Sequence, residues 1–385
     1  MILEFTEEQQ MLKQTVRKFL EKEIKPYAEE YTDLLIPKEL AHELIKKLLP
    51  FGYVAGSFPE DMGGMNLDTI SQGILYEELF RVFPGLGGIV FITQETALTL
   101  YQDGNKEQIQ RFIPKLLSGD YIGCVAVTEP DVGSNPSEVK TRAILEAGTY
   151  RMNGQKIWIS NGSISDLAIV LARTEKEAGK KSVSRLIVER SFSPYSTKDI
   201  KKLGLNSWPT SELFLDDISV PQENLLGELG EGLKSTLQLF ERARCFVALY
   251  STGISQASMD ATIQYVKERE QWGKPIGQHQ LIQDKLAEML TELDAARLLA
   301  YRGLYLIGKG VRCDTQTSMA KYYATEAGVK ITSHAIQIHG GYGLSKEFPL
   351  ERYFRDARML TIPDGTSEIQ KLIIARNAIG MPAFR

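Results

Sequence analysis

The chain has 385 residues, 24% charged and 43% hydrophobic, with a formal net charge of −4. It reads as an ordinary globular protein with room for two or three domains. Slight acidity gives no general attraction to nucleic acid. Cys124, Cys245 and Cys313 are odd in number and widely spaced, and the four histidines lack metal-ligand spacing, so neither a disulfide framework nor a metal site is expected. The N-terminus, MILEFTEEQQ, lacks a signal peptide's basic start and apolar run, and no apolar run approaches the ~18–20 residues of a membrane span. A cytoplasmic location is the default expectation.

Thr6 with Gln9 forms a capping-box signature, followed by Met11, Leu12, Val16, Phe19, Leu20 and Ile24 at helical spacing. Further amphipathic segments are predicted over 38–50, 68–83, 87–103 and 105–118. From about Tyr121 the pattern changes to alternation with turns. Asn153-Gly154 is predicted as a hairpin turn and Asn161-Gly162 as a second, with later strands over 184–190 and 211–221. From Gly232 the helical period returns in a long helix broken at Trp272-Gly273-Lys274-Pro275. Helices are then expected over 279–307, 315–338 and from Ser367 to about Ile379. The reading is therefore α+β: an N-terminal helical domain (1–119), a middle β-barrel or sandwich domain (120–231) and a C-terminal helical domain (232–385). Without βαβ alternation or GxGxxG, a Rossmann dinucleotide domain is not indicated.

The stretch RDARMLTIPDGTSEIQ, 355–370, carries the chemistry around which the rest is arranged. Asp364 sits between Pro363, which fixes φ, and Gly365, which permits a bend, with Thr366 suited to cap the last helix. A carboxylate at a stiff bend behind the apolar Met359, Leu360 and Ile362 suits a general base kept from water. Four other segments could serve a ligand. CVAVTEPDVGSN, 124–135, opens backbone at Gly133-Ser134. KIWISNG, 156–162, places Trp158 and Ser160 on one face by the two-residue period. KEREQWGKPIGQHQ, 267–280, holds Arg269 at a helix end, and QIHGGYG, 337–343, exposes backbone after a helix. Taken singly, each is as readily a surface turn, a core tryptophan, a solvated arginine or a helix stop.

In this order and at these separations, however, they resemble the acyl-CoA dehydrogenase family over essentially the whole chain. VTEPDVGS is similar to that family's VTEPxxGS, WIS to WIT/WIS, and REQWGKPI…Q to RxxFGKPI…Q. QIHGGYG with RYFRDAR is similar to QxxGGxG…RxxRDxR, and IPDGTSEIQ to YEGTxxIQ. The resemblance implies a C-terminal four-helix bundle, non-covalent FAD and an acyl thioester, foremost an acyl-CoA, oxidised at its α and β carbons. A carboxylate would take the α-proton while the β-hydrogen leaves as hydride to flavin N5. A backbone N–H at the base would help polarise the thioester carbonyl.

Carried over by position, Val127, Thr128, Trp158 and Ser160 would surround the flavin ring, and Ser134 would lie near it and the pantetheine arm. Thr366 and Glu368 would hold the ribose and adenine side. Arg269, Gln271, Trp272, Gln280 and Gln337 to Gly341, with Gly340, would grip the FAD of a neighbouring subunit. That implies a homotetramer built as a dimer of dimers, with an electron-transferring flavoprotein as the implied acceptor. Gly365, Arg244 and Glu241 would lie on the substrate side.

Two positions depart from the family pattern. The usual base is glutamate, commonly after tyrosine; here Pro363-Asp364 stand, shortening the reach by ~1.3–1.5 Å. Some relatives carry the base on the long helix just before an arginine, but Ala243 precedes Arg244 and cannot act, which leaves Glu241 as the alternative to Asp364. Trp208, two before Thr210, is a bulky residue that either narrows the flavin pocket or packs under the β domain. Other readings are a dehydrogenase or oxidase of a carrier-protein-tethered acyl or aminoacyl thioester, and a non-catalytic flavin-binding relative.

Overall fold

The structure, a computed structural model, describes residues 4–174 and 182–383. Thr6 and Gln9 close the predicted capping box at 3.2 and 3.1 Å and start α1 (Glu7–Phe19). The helix continues through a π turn at Leu20–Ile24 into α2 (Lys25–Glu30). Pro26, which has no N–H to give the ladder, lies just beyond that widened turn. α3 (Lys38–Leu48), α4 (Thr69–Val82), α5 (Pro84–Asp103) and α6 (Lys106–Leu117) follow. Asp68 caps α4, and Asn105 with Gln108 forms a second capping box at α6.

The middle segment folds into one eight-stranded sheet: β1 (Gly123–Ala126), β2 (Arg142–Glu146), β3 (Thr149–Ser160), β4 (Leu167–Arg173), β5 (Val183–Glu189), β6 (Ser196–Asp199), β7 (Thr210–Pro221) and β8 (Leu225–Leu226). The order is β6-β7-β3-β2-β4-β5-β8, with β1 parallel to β4. Inward residues of β1 to β5 and β7, among them Cys124, Met152, Val170, Val188 and Leu215, share one core. β5 and β7, from the two halves of that order, thus close on the same core in the barrel- or sandwich-like manner expected, while among the described residues β6 and β8 at the ends of the order do not pair. The opposite face of β4 and β5 gives Leu167, Ile169 and Ile187 to the helical core.

One predicted turn is misplaced. The hairpin between β2 and β3 turns at Ala147-Gly148 (φ +47° and +81°), joining Glu146 to Thr149. Asn153-Gly154 instead lies inside β3, at a bulge opposite β7, where Asn153 Oδ1 accepts the Asp217 N–H at 2.9 Å. A strand paired on both sides has more to gain by continuing than by turning, so the Asn-Gly pair serves the bulge. Asn161-Gly162 is a turn as expected, with Gly162 N–H donating to Ile159 O at 3.1 Å.

α7 (Gly232–Glu268) is followed by the short hairpin β9 (Glu270–Gln271) and β10 (Lys274–Pro275). Then come α8 (Gln280–Gly308), α9 (Asp314–His339), α10 (Leu350–Met359) and α11 (Ser367–Ile379). α7, α8 and α9 pack on one another and α11 on α9, giving the four-helix arrangement. α10 was not anticipated. The helical parts are not separate cores: Val16, Leu75, Phe91, Phe246, Leu304 and Ala320, from α1, α4, α5, α7, α8 and α9, belong to one buried cluster.

Candidate active site

Three groups of predicted residues come together, each at a seam between elements. The first lies where β1 runs out against β3. Ile157 N–H donates to Thr128 O at 2.9 Å, and Lys156 Nζ donates to Val127 O at 3.0 Å and to Glu129 Oε1 at 2.8 Å. Glu129 also accepts from the Lys140 and Thr141 N–H groups. This fully buried clasp fixes the Val127-Thr128 rim, and burial pushes the Lys156 ammonium down to about 8. Just beyond it a bulge between Lys156 and Ile159 leaves Trp158 at φ +62° with its side chain 53% exposed. Trp158 and Ser160 flank the buried Ile159, as the two-residue period requires. Trp158 nonetheless carries a left-handed backbone that the sequence did not announce, a form of strain that concentrates at functional sites. Ser134 is exposed on the loop after β1. Trp208 proves to be a packing residue: its Nε1–H donates to Asn161 Oδ1 at 2.9 Å, and its ring lies against Gly88 of α5.

The second group is at the far end of α7. Arg269, Gln271, Gly340 and Gly341 line a cavity of about 560 Å³ together with His339 of the predicted 337–341 segment and with Tyr265 and Tyr342, which sequence reasoning missed. A Cβ at Gly340 or Gly341 would meet nothing within 4 Å, so the chain turns bare backbone outward here. His339 Nδ1 lies 2.8 Å from Ala335 O and must be the protonated nitrogen. Nε2 is then an acceptor, buried and without a partner among the described residues. Burial holds this imidazole's pKa below its usual value, and its ring stacks on Tyr265 at 4.1 Å. Trp272, Gln280 and Gln337 are exposed around this region without lining the cavity, Trp272 at 93%.

The third group is the loop between α10 and α11. Leu360 is buried, but Ile362 is 56% exposed, so the expected apolar screen before the carboxylate is only half built. Asp364 has φ +54° and Gly365 φ +90°, and Thr366 Oγ1 caps α11 by accepting the Ile369 N–H at 3.4 Å. Two side chains hold this bend. Gln370 Nε2 donates to Asp364 O at 3.0 Å and to Gly365 O at 2.8 Å. Lys321 of α9, completely buried, donates from Nζ to Thr361 O and Gly365 O, both at 2.9 Å. No backbone hydrogen bond among the described residues uses the Asp364 N–H.

Burial raises the Asp364 carboxyl above its usual range, against the opposing pull of the Lys321 and Arg244 cations. Arg244 is buried on α7, within 3.5 Å of Ser318 Oγ, and its Nε has no partner among the described residues. Glu241, one turn earlier, accepts the Cys313 N–H at 2.9 Å. Glu368 is exposed at the start of α11. Lys321 and Gln370 were missed. The signal for Lys321 was a stripe of small residues at helical spacing, Thr317, Ala320, Ala324 and Gly328, among which a lysine can only point inward.

The first and third groups both abut the same stretch of α7, where Arg244 acts on the Asp364 carboxyl. Phe240, one residue before Glu241, packs against Val127 and its neighbours. The second group begins at Arg269, 29 residues further along α7, which at ~1.5 Å per residue is ~40 Å away.

Comparison with known proteins gives this geometry a lineage. Residues 6–120 match the N-terminal domain of acyl-CoA dehydrogenases, residues 124–218 the middle domain and residues 230–379 the C-terminal domain. The chain belongs to the acyl-CoA dehydrogenase family. It is 39% identical to an acyl-CoA dehydrogenase of Bacillus subtilis over 97% of this chain and 99% of that one. A caffeyl-CoA reductase–Etf complex subunit of Acetobacterium woodii is 34% identical, over 96% and 98%. A glutaryl-CoA dehydrogenase of Mycobacterium smegmatis, solved with FADH2, superposes with a TM-score of 0.90 at 30% identity, covering 99% and 97%. As a member of this acyl-CoA dehydrogenase family the protein is an FAD-dependent oxidoreductase. The residues present fit that cofactor: an exposed indole at Trp158, bare backbone at Gly340-Gly341, a cation at Arg269 and an unpartnered acceptor at His339 Nε2.

Proposed function

We propose that this enzyme α,β-dehydrogenates an acyl-CoA thioester with Asp364 as the base. The carrying observation is the loop itself: a partly buried carboxylate on a left-handed backbone, clasped from below by Lys321 and Gln370, facing Arg244. Asp364 takes the proton from Cα, and the electron pair of that bond becomes the new π bond as the hydrogen on Cβ departs with its own pair. The free Asp364 N–H is placed to donate to the thioester oxygen, where negative charge develops. Bound FAD supplies the hydride acceptor. Glu241 is the weaker candidate for the base because one of its oxygens is engaged by the Cys313 N–H at the start of α9.

Val127, Thr128, Trp158 and Ser160 form the rim proposed for the flavin ring, with Ser134 at its edge and the pantetheine arm. Thr366 and Glu368 would hold the ribose and adenine side of FAD. The ~40 Å between this rim and the Arg269–Gly341 cavity supports a homotetramer in which that cavity, with Gln271, Trp272, Gln280 and Gln337, grips a neighbour's FAD. The division into 1–119, 120–231 and 232–385 follows the change from helices to sheet and back. An electron-transferring flavoprotein is the proposed acceptor, supported by the name of the Acetobacterium relative. A cytoplasmic location is proposed; among the described residues no helix is long and apolar enough to cross a membrane.

The test is an anaerobic visible spectrum of the flavoprotein, titrated with straight, branched and cyclic acyl-CoAs. Bleaching by at least one of them, lost in Asp364→Asn, supports the assignment. Undiminished bleaching in Asp364→Asn excludes Asp364 as the base.

A further inference from the structure

Lys321 is an expensive residue for its position. Its side chain is wholly buried in α9, yet it carries a charge where a neutral donor could satisfy a carbonyl. It spends two of its three N–H donors on Thr361 O and Gly365 O, the carbonyls that bracket residues 362–364. Thr361 O also accepts the Ser367 N–H at 3.1 Å, so one ammonium ties the end of α10, the bend and the start of α11 together. The charged groups around it come from three sides: Asp364 on the loop, Arg244 on α7, and Glu326 and Glu368 on α9 and α11. Glu326 is already engaged by Ser367 Oγ at 2.5 Å, and Glu368 is exposed. Asp364 is the largest of the charges that favour the ammonium, and around Asp364 the cations are Lys321 and Arg244.

We propose that Lys321 is a positioning residue for α-proton abstraction: it clasps the Asp364 bend through two carbonyls and holds a cation beside that half-buried carboxylate. This rests on Asp364 being the base. Two consequences follow. Without the Lys321 cation only Arg244 opposes burial at Asp364, so its protonation moves to higher pH. Burial brings the Lys321 ammonium down to about 8, so above that pH the clasp loses its charge and one donor.

The experiment is the pH dependence of anaerobic flavin reduction, at saturating acyl-CoA, in wild type, Lys321→Met, Lys321→Arg and Asp364→Asn, each with flavin content measured. Lys321→Met is expected to move the acid limb up by about one pH unit or more and to slow reduction ~100-fold, as a displacement near 1 Å would. Lys321→Arg keeps a cation that does not titrate; it should restore the acid limb and carry the alkaline limb well above that of wild type. A folded, flavin-loaded Lys321→Met with an unmoved acid limb overturns the proposal. If Lys321→Met does not fold, an alkaline limb unchanged in Lys321→Arg overturns it instead. Asp364→Asn separates the two claims: reduction at the wild-type rate removes the base assignment. A silent Asp364→Asn with unmoved limbs in the lysine variants removes only this one.

Discussion

Gly365→Ala perturbs the bend without touching a charge. At φ +90° a side chain costs about 1–2 kcal/mol of backbone strain. The new Cβ would also stand 2.6 Å from Gln370 Nε2, whereas ordinary contact begins near 3.4 Å. The loop must then shift by about 0.8 Å, or Gln370 must withdraw and give up its bonds to Asp364 O and Gly365 O, each worth ~1 kcal/mol. Gln370 is fully buried, and its Oε1 already lacks a partner among the described residues, so the loop should move. A shift of that size at a catalytic carboxylate costs ~30- to 100-fold in rate. Stopped-flow reduction of the flavin under anaerobic conditions reads the rate, and the flavin-to-protein absorbance ratio shows whether the cofactor is retained. A rate within about twofold of wild type, with normal flavin content, would refute the view that this bend sets the position of Asp364.

Asp356, buried on α10, accepts the Leu205 N–H at 2.5 Å, and burial pushes its carboxyl up to about 6. The folded state therefore holds a proton, between about pH 4 and 6, that the unfolded chain has released, and this stabilisation is lost as pH rises through 6. Asp356→Asn keeps the acceptor without the charge. Its stability relative to wild type should grow by up to roughly 3 kcal/mol from pH 4 to 8 in urea unfolding; a pH-independent difference would contradict the assignment. Arg269→Glu should lower the flavin content of the purified protein at least about tenfold, through a cation lost some 40 Å from the flavin rim of its own chain. Full flavin occupancy in that variant would count against a site shared between subunits.

Much of the frame was legible. Capping residues Thr6 and Thr366, the β-branched and apolar run of β5 and the alternation in β7 announced elements because their signals are local. Asn153-Gly154 misled because the same dipeptide suits a turn or a bulge, and the choice lies with the strand paired on the other side. α10 was hidden by its charges: Arg355 pairs with Glu351 and Asp33, and Asp356 reaches the loop at Leu205, so the RDAR run is architectural. At the site, Asp364 and Gly340-Gly341 were visible as residues at stiff or open backbone, and Trp158 only through the strand face it shares with Ser160. Their supports, Lys156, Lys321 and Gln370, were not, because what commits them is a carbonyl or carboxylate brought in from elsewhere in the chain.

The most direct measurement is exchange at Cα uncoupled from oxidation. A thioester deuterated at Cα and quaternary at Cβ has no hydrogen to lose as hydride, so only proton abstraction can act on it. In ordinary water the wild-type flavoprotein should wash out the deuterium, Glu241→Gln should do so at a comparable rate, and Asp364→Asn should lose at least ~100-fold. Wash-out in Asp364→Asn at the wild-type rate would contradict the account and require the base to be found elsewhere.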